Sequence, residues 1–207
     1  FSSPESDSTI TLANNIDLGG NTPTVTVNQG TAAINAELTG NISDGGLNIT
    51  GGGTITLSGA NTYSGGTTIS AYVDSGDNYY PTPVEFSSGS LGTGDITING
   101  GSTLRWAAGN TDGLGGTINI PFSHYASSGS EAIFDTNGNN VVLNAVLNSA
   151  TSTLALTKAG SGTLTLNGSS PNFGSYVEVT GGTLKFGGAN ALGTEQFGLA
   201  IVDATVP

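Results

Sequence analysis

The 207-residue sequence predicts an all-β chain wound as a parallel β-solenoid, and three observations lead there. Gly supplies 34 residues, about twice its usual share of roughly 7%. Apolar and polar residues alternate in short runs such as Ile55-Thr56-Leu57 and Leu164-Thr165-Leu166, the period of a strand with one buried and one wet face. The chain also repeats itself at a fixed interval, the signature of stacked supersecondary units. No stretch holds a helical period, and none approaches the roughly 20 apolar residues of a membrane helix, so no membrane insertion by this segment is expected.

Composition narrows the function classes. Fifteen acidic residues against three basic ones give a net charge of −12. Such a surface repels nucleic acid and anionic lipid, whose binding needs clustered Lys and Arg; no nucleic-acid partner is expected. With 35% hydrophobic residues and a mean hydropathy of +0.02 the core must be narrow. Zero Cys excludes disulfides, zinc–thiolate sites and thiol chemistry. Absent Cys, acidity and abundant Thr, Ser, Asn and Gly accompany exported bacterial surface proteins, so an extracellular or cell-surface location is expected. The chain begins at Phe1 without Met or a signal peptide, as expected of a mature or trimmed product.

Taken in order, residues 8–18 already read as strand, and residues 1–24 are expected to form an N-terminal strand and assembly segment. A first repeat unit is expected over 25–131, with strands at Ile55/Leu57, Ile96/Ile98 and Ile118/Ile120. The stretch 72–86, rich in Asp, Tyr and Pro, reads as an inserted loop. A second, incomplete unit is expected over 132–207. Thr54 and Thr163 stand 109 residues apart, and so do the flanking Gly-rich strand motifs; Leu91 and Leu192 stand 101 apart, so the first copy carries about eight extra residues. A sandwich or a closed barrel is also open to short strands. However, the Gly pairs recur beside similar strand motifs rather than as Asn-Gly turns between paired runs, which suits stacked coils. At roughly 20 to 25 residues per coil the chain has about eight to ten coils, a body roughly 40 to 50 Å long at about 4.8 Å per step.

The stretch from Leu47 to Ile69, with Gly-Gly-Thr-Ile-Thr-Leu-Ser-Gly-Ala-Asn-Thr-Tyr-Ser-Gly-Gly-Thr-Thr-Ile, resembles the autotransporter-associated β-strand repeat, also called the passenger-associated transport repeat. The second copy contributes Leu156-Thr157-Lys158-Ala159-Gly160-Ser161-Gly162-Thr163-Leu164-Thr165-Leu166, then Gly181-Gly182-Thr183-Leu184 and Ala191-Leu192-Gly193. It departs from the pattern at Ser170-Pro171-Asn172-Phe173, where Asn-Thr-Tyr is expected, and the first copy lacks the Lys. The resemblance implies a right-handed parallel β-helix in a secreted or surface-exposed bacterial protein. It implies a scaffold rather than a chemistry, since fold does not give function.

Candidate chemical groups are few. His124 lies beside aromatic residues with no Gly-x-Ser-x-Gly elbow, which reads as structural. The carbohydrate-cleaving reading of a β-helix needs two near carboxylates, or a cationic base beside a carboxylate cluster. None of Arg105, Lys158 and Lys185 adjoins a pair of Asp in the sequence, so no enzyme is expected. Asp135, Asn137 and Asn139 set oxygen ligands at alternating positions, like the start of a calcium loop. The Glu required at position 12 is replaced by Val146, so Asx turns are the simpler reading and calcium the lesser alternative. Tyr72, Tyr79, Tyr80 and Trp106 are candidates for a lateral contact, with a host or matrix glycan or protein as partner; packing on the flank is the alternative for the tyrosines, and rung packing the alternative for Trp106, which follows the strand residue Leu104.

Neither end shows an evident cap. The expectation is a non-enzymatic extracellular structural protein stacking head to tail into a homopolymer through Ile10, Leu12, Ile16, Leu18, Phe197, Leu199, Ile201 and Val202. The alternative is a fragment of a passenger that displays its loops as a surface adhesin.

Overall fold

Alternation sends every second side chain inward, and Gly-rich turns between short strands let the chain return to the same face once per coil. The structure, a computed structural model, describes residues 7–121, 132–149, 154–173, 176–193 and 199–201, and contains no helix among them. The first coil lays down β1 (Ile10–Leu12), β2 (Ile16–Asp17) and β3 (Thr24–Thr26), and the second β4 (Ala36–Leu38), β5 (Ile42–Ser43) and β6 (Leu47–Thr50). The third holds β7 (Ile55–Leu57) and β8 (Thr67–Ser70), after which β9 (Tyr72–Val73) and β10 (Tyr79–Tyr80) form an antiparallel hairpin. β11 (Pro83–Phe86) and β12 (Ile96–Asn99) make the fourth coil, and β13 (Thr103–Trp106) and β14 (Thr117–Asn119) the fifth. The sixth has β15 (Ala132–Asp135), β16 (Asn140–Leu143) and β17 (Val146–Asn148); the seventh has β18 (Leu154–Ala159) and β19 (Thr163–Leu166). β20 (Tyr176–Val179) and β21 (Thr183–Phe186) form the eighth, and β22 (Leu199–Ile201) opens the ninth.

These strands stack on three faces. The first is a nine-stranded sheet in the order β1-β4-β7-β11-β13-β15-β18-β20-β22, the second is built of β2-β5 and β16-β19-β21, and the third is β3-β6-β8-β12-β14-β17. Apart from the hairpin, the strand pairings are parallel, each strand lying on its counterpart one coil away. This is a parallel β-solenoid. The coil varies from 19 residues, between the partners Ala36 and Ile55, to 30, between Leu104 and Phe134. Nine strands at about 4.8 Å per step make a stack about 40 Å long.

In-register stacking turns the alternation into columns. Leu12, Leu38, Leu57, Phe86 and Trp106 follow one another up the first face. Leu47, Thr67, Ile96, Ile118 and Leu147 do the same on the third. The Phe86 and Trp106 rings meet edge-on at 5.0 Å between centroids, and Trp106 meets Phe134 at 5.8 Å, both favoured geometries. Where the second face lacks a strand, polar side chains stand in for the ladder: buried Asn61 accepts from Ile42 N–H at 2.7 Å and donates to Ser90 O at 2.6 Å. In the second copy Ser170 takes the place of Asn61, accepting from Leu147 N–H, and buried Phe173 fills the role of Tyr63.

Two expectations are corrected. The stretch 72–86 is not a loop throughout: Pro83–Phe86 is a core strand with Val84 and Phe86 fully buried, paired with both β7 and β13. Its alternation, Val84-Glu85-Phe86, matches Leu184-Lys185-Phe186 in the other copy, and only the hairpin is extra. Trp106 makes no lateral contact, because its ring closes the Phe86–Phe134 stack with no exposed surface and its Nε1 donates to Asp112 O at 2.9 Å.

The two copies also sit on different faces. In the first, the strand–turn–strand unit runs from β6 on the third face to β7 on the first; in the second, from β18 on the first to β19 on the second. The copies are thus four coils and one face apart.

Trp106→Ala opens the middle of the aromatic stack and is expected to destabilise the chain by about 3–5 kcal/mol, measured by denaturant unfolding. Burial pushes the Tyr63 phenol up to about 12, against the opposing effect of its 2.7 Å bond to Thr67 Oγ1. Because the folded pKa lies above the ordinary 10.0, stability is unaffected below pH 10 and falls as pH rises through 12. A loss of about 3 kcal/mol follows, and unfolding curves of Tyr63→Phe should lack this component.

Candidate functional site

Between the third and fourth coils the hairpin β9–β10 stands out from an otherwise regular body, where the second copy crosses with Gly181-Gly182. Asp74 organises its turn. Asp74 Oδ1 accepts from Gly76 N–H at 2.8 Å and Asn78 N–H at 2.9 Å, and Oδ2 accepts from Asn78 Nδ2 at 2.9 Å and the Tyr80 hydroxyl at 3.2 Å. Asp77, at a φ of 58°, makes the left-handed step that closes the turn, a conformation Asp tolerates. The Asn78 side chain, then its backbone N–H, holds the Asp74 carboxyl below the usual range, although burial opposes them. The bond to Asp74 and its negative charge raise the Tyr80 phenol.

Two glycines seat the hairpin on the body. A Cβ at Gly52 would lie 2.6 Å from Tyr80 Cβ, and one at Gly100 would collide with the Tyr79 hydroxyl. Thr82 anchors the base, donating to Ser70 O at 2.7 Å and accepting from Gly52 N–H at 3.2 Å. The result is an open cavity of about 390 Å³ lined by Asn28, Gln29, Gly51, Tyr72, Asp74 and Tyr80. Tyr72 is 42% exposed, and its ring lies 6.2 Å from that of Tyr80, tilted by 30°. Of the tyrosines singled out in the sequence, Tyr72 and Tyr80 therefore meet at one site, while Tyr79 packs toward Gly100. Asn28 and Gln29, contributed from two coils earlier, carried no signal in the sequence.

The remaining candidates do not converge. Asp135 Oδ1 accepts from Asn137 N–H at 2.8 Å, an Asx turn; Asn137 Oδ1 accepts from Arg105 Nη2 at 2.8 Å and Asn139 Oδ1 from Gly109 N–H at 2.9 Å. These oxygens face donors along the flank of the first face rather than a common centre. Among the described residues no group of three or more His, Asp or Glu could hold a metal ion. The stack does bring two carboxylates to a cation: Arg105 Nε lies 3.4 Å from Glu85 Oε2 and 3.5 Å from Asp135 Oδ2. A guanidinium stays protonated and cannot act as a base. Lys158 is buried, donating to Ala159 O, Gly160 O and Gly181 O at 2.7–3.0 Å; burial lowers its pKa and the charge of Asp135 opposes that.

At the start of the solenoid, β1, β2 and β3 are all outer strands of their sheets. Ile10 is 40% exposed, and Leu12, Ile16 and Leu18 are half-buried. At the far end Leu199 and Ile201 lie in β22, the outer strand of the first face, and Phe186 of β21 is 49% exposed. His124, Phe197 and Val202 lie outside the described residues.

In Asp74→Ala the Tyr80 phenol loses both the bond and the charge that raise it. Its titration, followed by NMR of the ring, should move to lower pH while the melting temperature stays within about 2 °C, since the turn is exposed.

The model of the passenger-associated transport repeat family matches the chain over residues 47–71 and again over 156–186. No curated protein and no solved structure matches it. The matched segments hold the strand–turn–strand units β6–β7 and β18–β19, and the family is a repeat associated with autotransporter passengers rather than an enzyme family. With both of its duplicated units matched, the chain is a parallel β-solenoid carrying two passenger-associated transport repeats.

Proposed function

We propose that this chain is a non-enzymatic structural rod segment, displayed outside the bacterial cell, that lengthens by stacking its first coil onto the last coil of a second copy. The observation behind this reading is that β1, β2 and β3 are all outer strands among the described residues, and that these three parallel edges coincide with half-buried Leu12, Ile16 and Leu18 and exposed Ile10. A parallel strand laid on these edges would continue all three sheets and cover the apolar columns, the driving force of strand addition. On the second face Asp17 lies on the first strand and Lys185 on the last described strand, one opposite-charge pair that such a contact would bring together. Such a contact is heterologous and does not close, and it therefore produces a filament.

The repeat match favours a second reading, in which the covering coil belongs to the same polypeptide and the segment is part of a passenger that displays its loops as an adhesin. Electron microscopy of the protein from its native source, with intact mass, separates the two. Filaments assembled from chains of about 20.4 kDa support stacking of copies; single rods of a much longer chain support the passenger. A variant tests the edge itself. Ile10 N–H donates to Asn35 O, so the next N–H, of Thr11, faces the open side. Thr11→Pro should leave the melting curve unchanged and abolish filaments; filaments of normal length from this variant overturn the edge contact.

A further inference from the structure

The cavity beneath the hairpin has a chemistry that neither the rod nor the repeat requires. Its lining brings two tyrosine rings, 6.2 Å apart and tilted by 30°, together with Asn28, Gln29 and Gly51. A Cβ at Gly51 would clash with the Val27 backbone, and one at Gly52 would lie 2.6 Å from Tyr80 Cβ, so both glycines are required for the close packing of coil on coil and of hairpin on coil beside the cavity. Rings held in this way give broad apolar contact with few rotatable bonds to fix, and amides both donate and accept. A pyranose ring presents that combination in reverse, with an apolar face of C–H groups edged by hydroxyls.

We propose that this cavity binds a neutral saccharide, one ring stacking on Tyr72 and Tyr80 with its hydroxyls bonded by Asn28 and Gln29. About 390 Å³ is at the small end of ligand cavities, which run from about 300 to 1,000 Å³, so the site holds a few sugar units at most. Charge selects against acidic sugars: the lining contains Asp74 and no basic residue, on a chain of net charge −12. Asp74 is committed to Gly76, Asn78 and Tyr80. It orients the Tyr80 ring and is not a carboxylate free for hydrolysis, so the site binds without cleaving. The proposal is independent of how the solenoid ends are covered.

Saturation-transfer NMR of the full chain with cellotetraose, maltotetraose and mannotetraose, and with trigalacturonate as the acidic counterpart, tests it. At least one neutral tetrasaccharide should receive saturation and bind with a millimolar or tighter Kd. Tyr72→Ala should weaken that binding at least ten-fold at an unchanged melting temperature. Gln29→Ala should weaken it several-fold, and Tyr176→Ala, at another exposed tyrosine, should leave it intact. Binding of none of the three neutral sugars, equal binding of trigalacturonate, or full binding by Tyr72→Ala overturns the proposal.

Discussion

Register between neighbouring coils is the constraint on which this molecule rests. In a parallel stack a residue meets its counterpart one coil away, and a slip of one position would send every inward side chain to solvent. The apolar columns are therefore both the core and the device that keeps the register. The core is only as wide as a few side chains, so its stability accumulates step by step, each coil depending on its neighbours. Leu57, Phe86 and Trp106 illustrate the tolerance of this arrangement. The side chain grows along the column, and the rings accommodate the change by meeting edge-on.

The polar groups obey the same stacking. Asn148 Nδ2 donates to Asn119 Oδ1 across one step of the third face at 2.9 Å. Arg105 lies between carboxylates contributed by the coils on either side. On so acidic a chain, one guanidinium between Glu85 and Asp135 removes a repulsion that stacking would otherwise impose, though at an exposed position its contribution is modest. Lys158 solves a different problem. The first copy has buried Ile49 at the matching position. The second has an ammonium whose three donors meet three carbonyl oxygens of Gly-rich turns, so its charge is compensated without a carboxylate partner in contact.

Much of the architecture could be read from the chain because its signals are periodic. Ile55 and Leu57, or Leu164 and Leu166, declare an inward face by alternation, and the recurrence of Gly-Gly beside them marks the turns. Pro83–Phe86 was harder to see, since its Pro and the neighbouring Tyr-rich stretch mask an alternation of only two apolar residues. Trp106 was ambiguous for another reason: a Trp at a strand end suits a flank as well as a column, and only its neighbours Phe86 and Phe134 decide. The cavity was half legible. Tyr72 and Tyr80 stood out by composition, but Gln29 enters through the stacking of coils, which brings together residues more than forty positions apart. The role of Asp74 is not legible from its sequence neighbours, because its bond to Tyr80 depends on the hairpin having formed.

The displacement of the duplicated unit by four coils and one face has a consequence for what the rod presents to its surroundings. A duplication of whole coils would set each copy directly above the last, with every decoration in one line. Here the unit is a corner, which occupies two of the three bends, and the second copy is turned by about a third of a revolution about the long axis. Further duplications of the same length would carry any attached loop around the shaft like leaves on a stem. The rod would then meet partners from all sides, not along a single stripe.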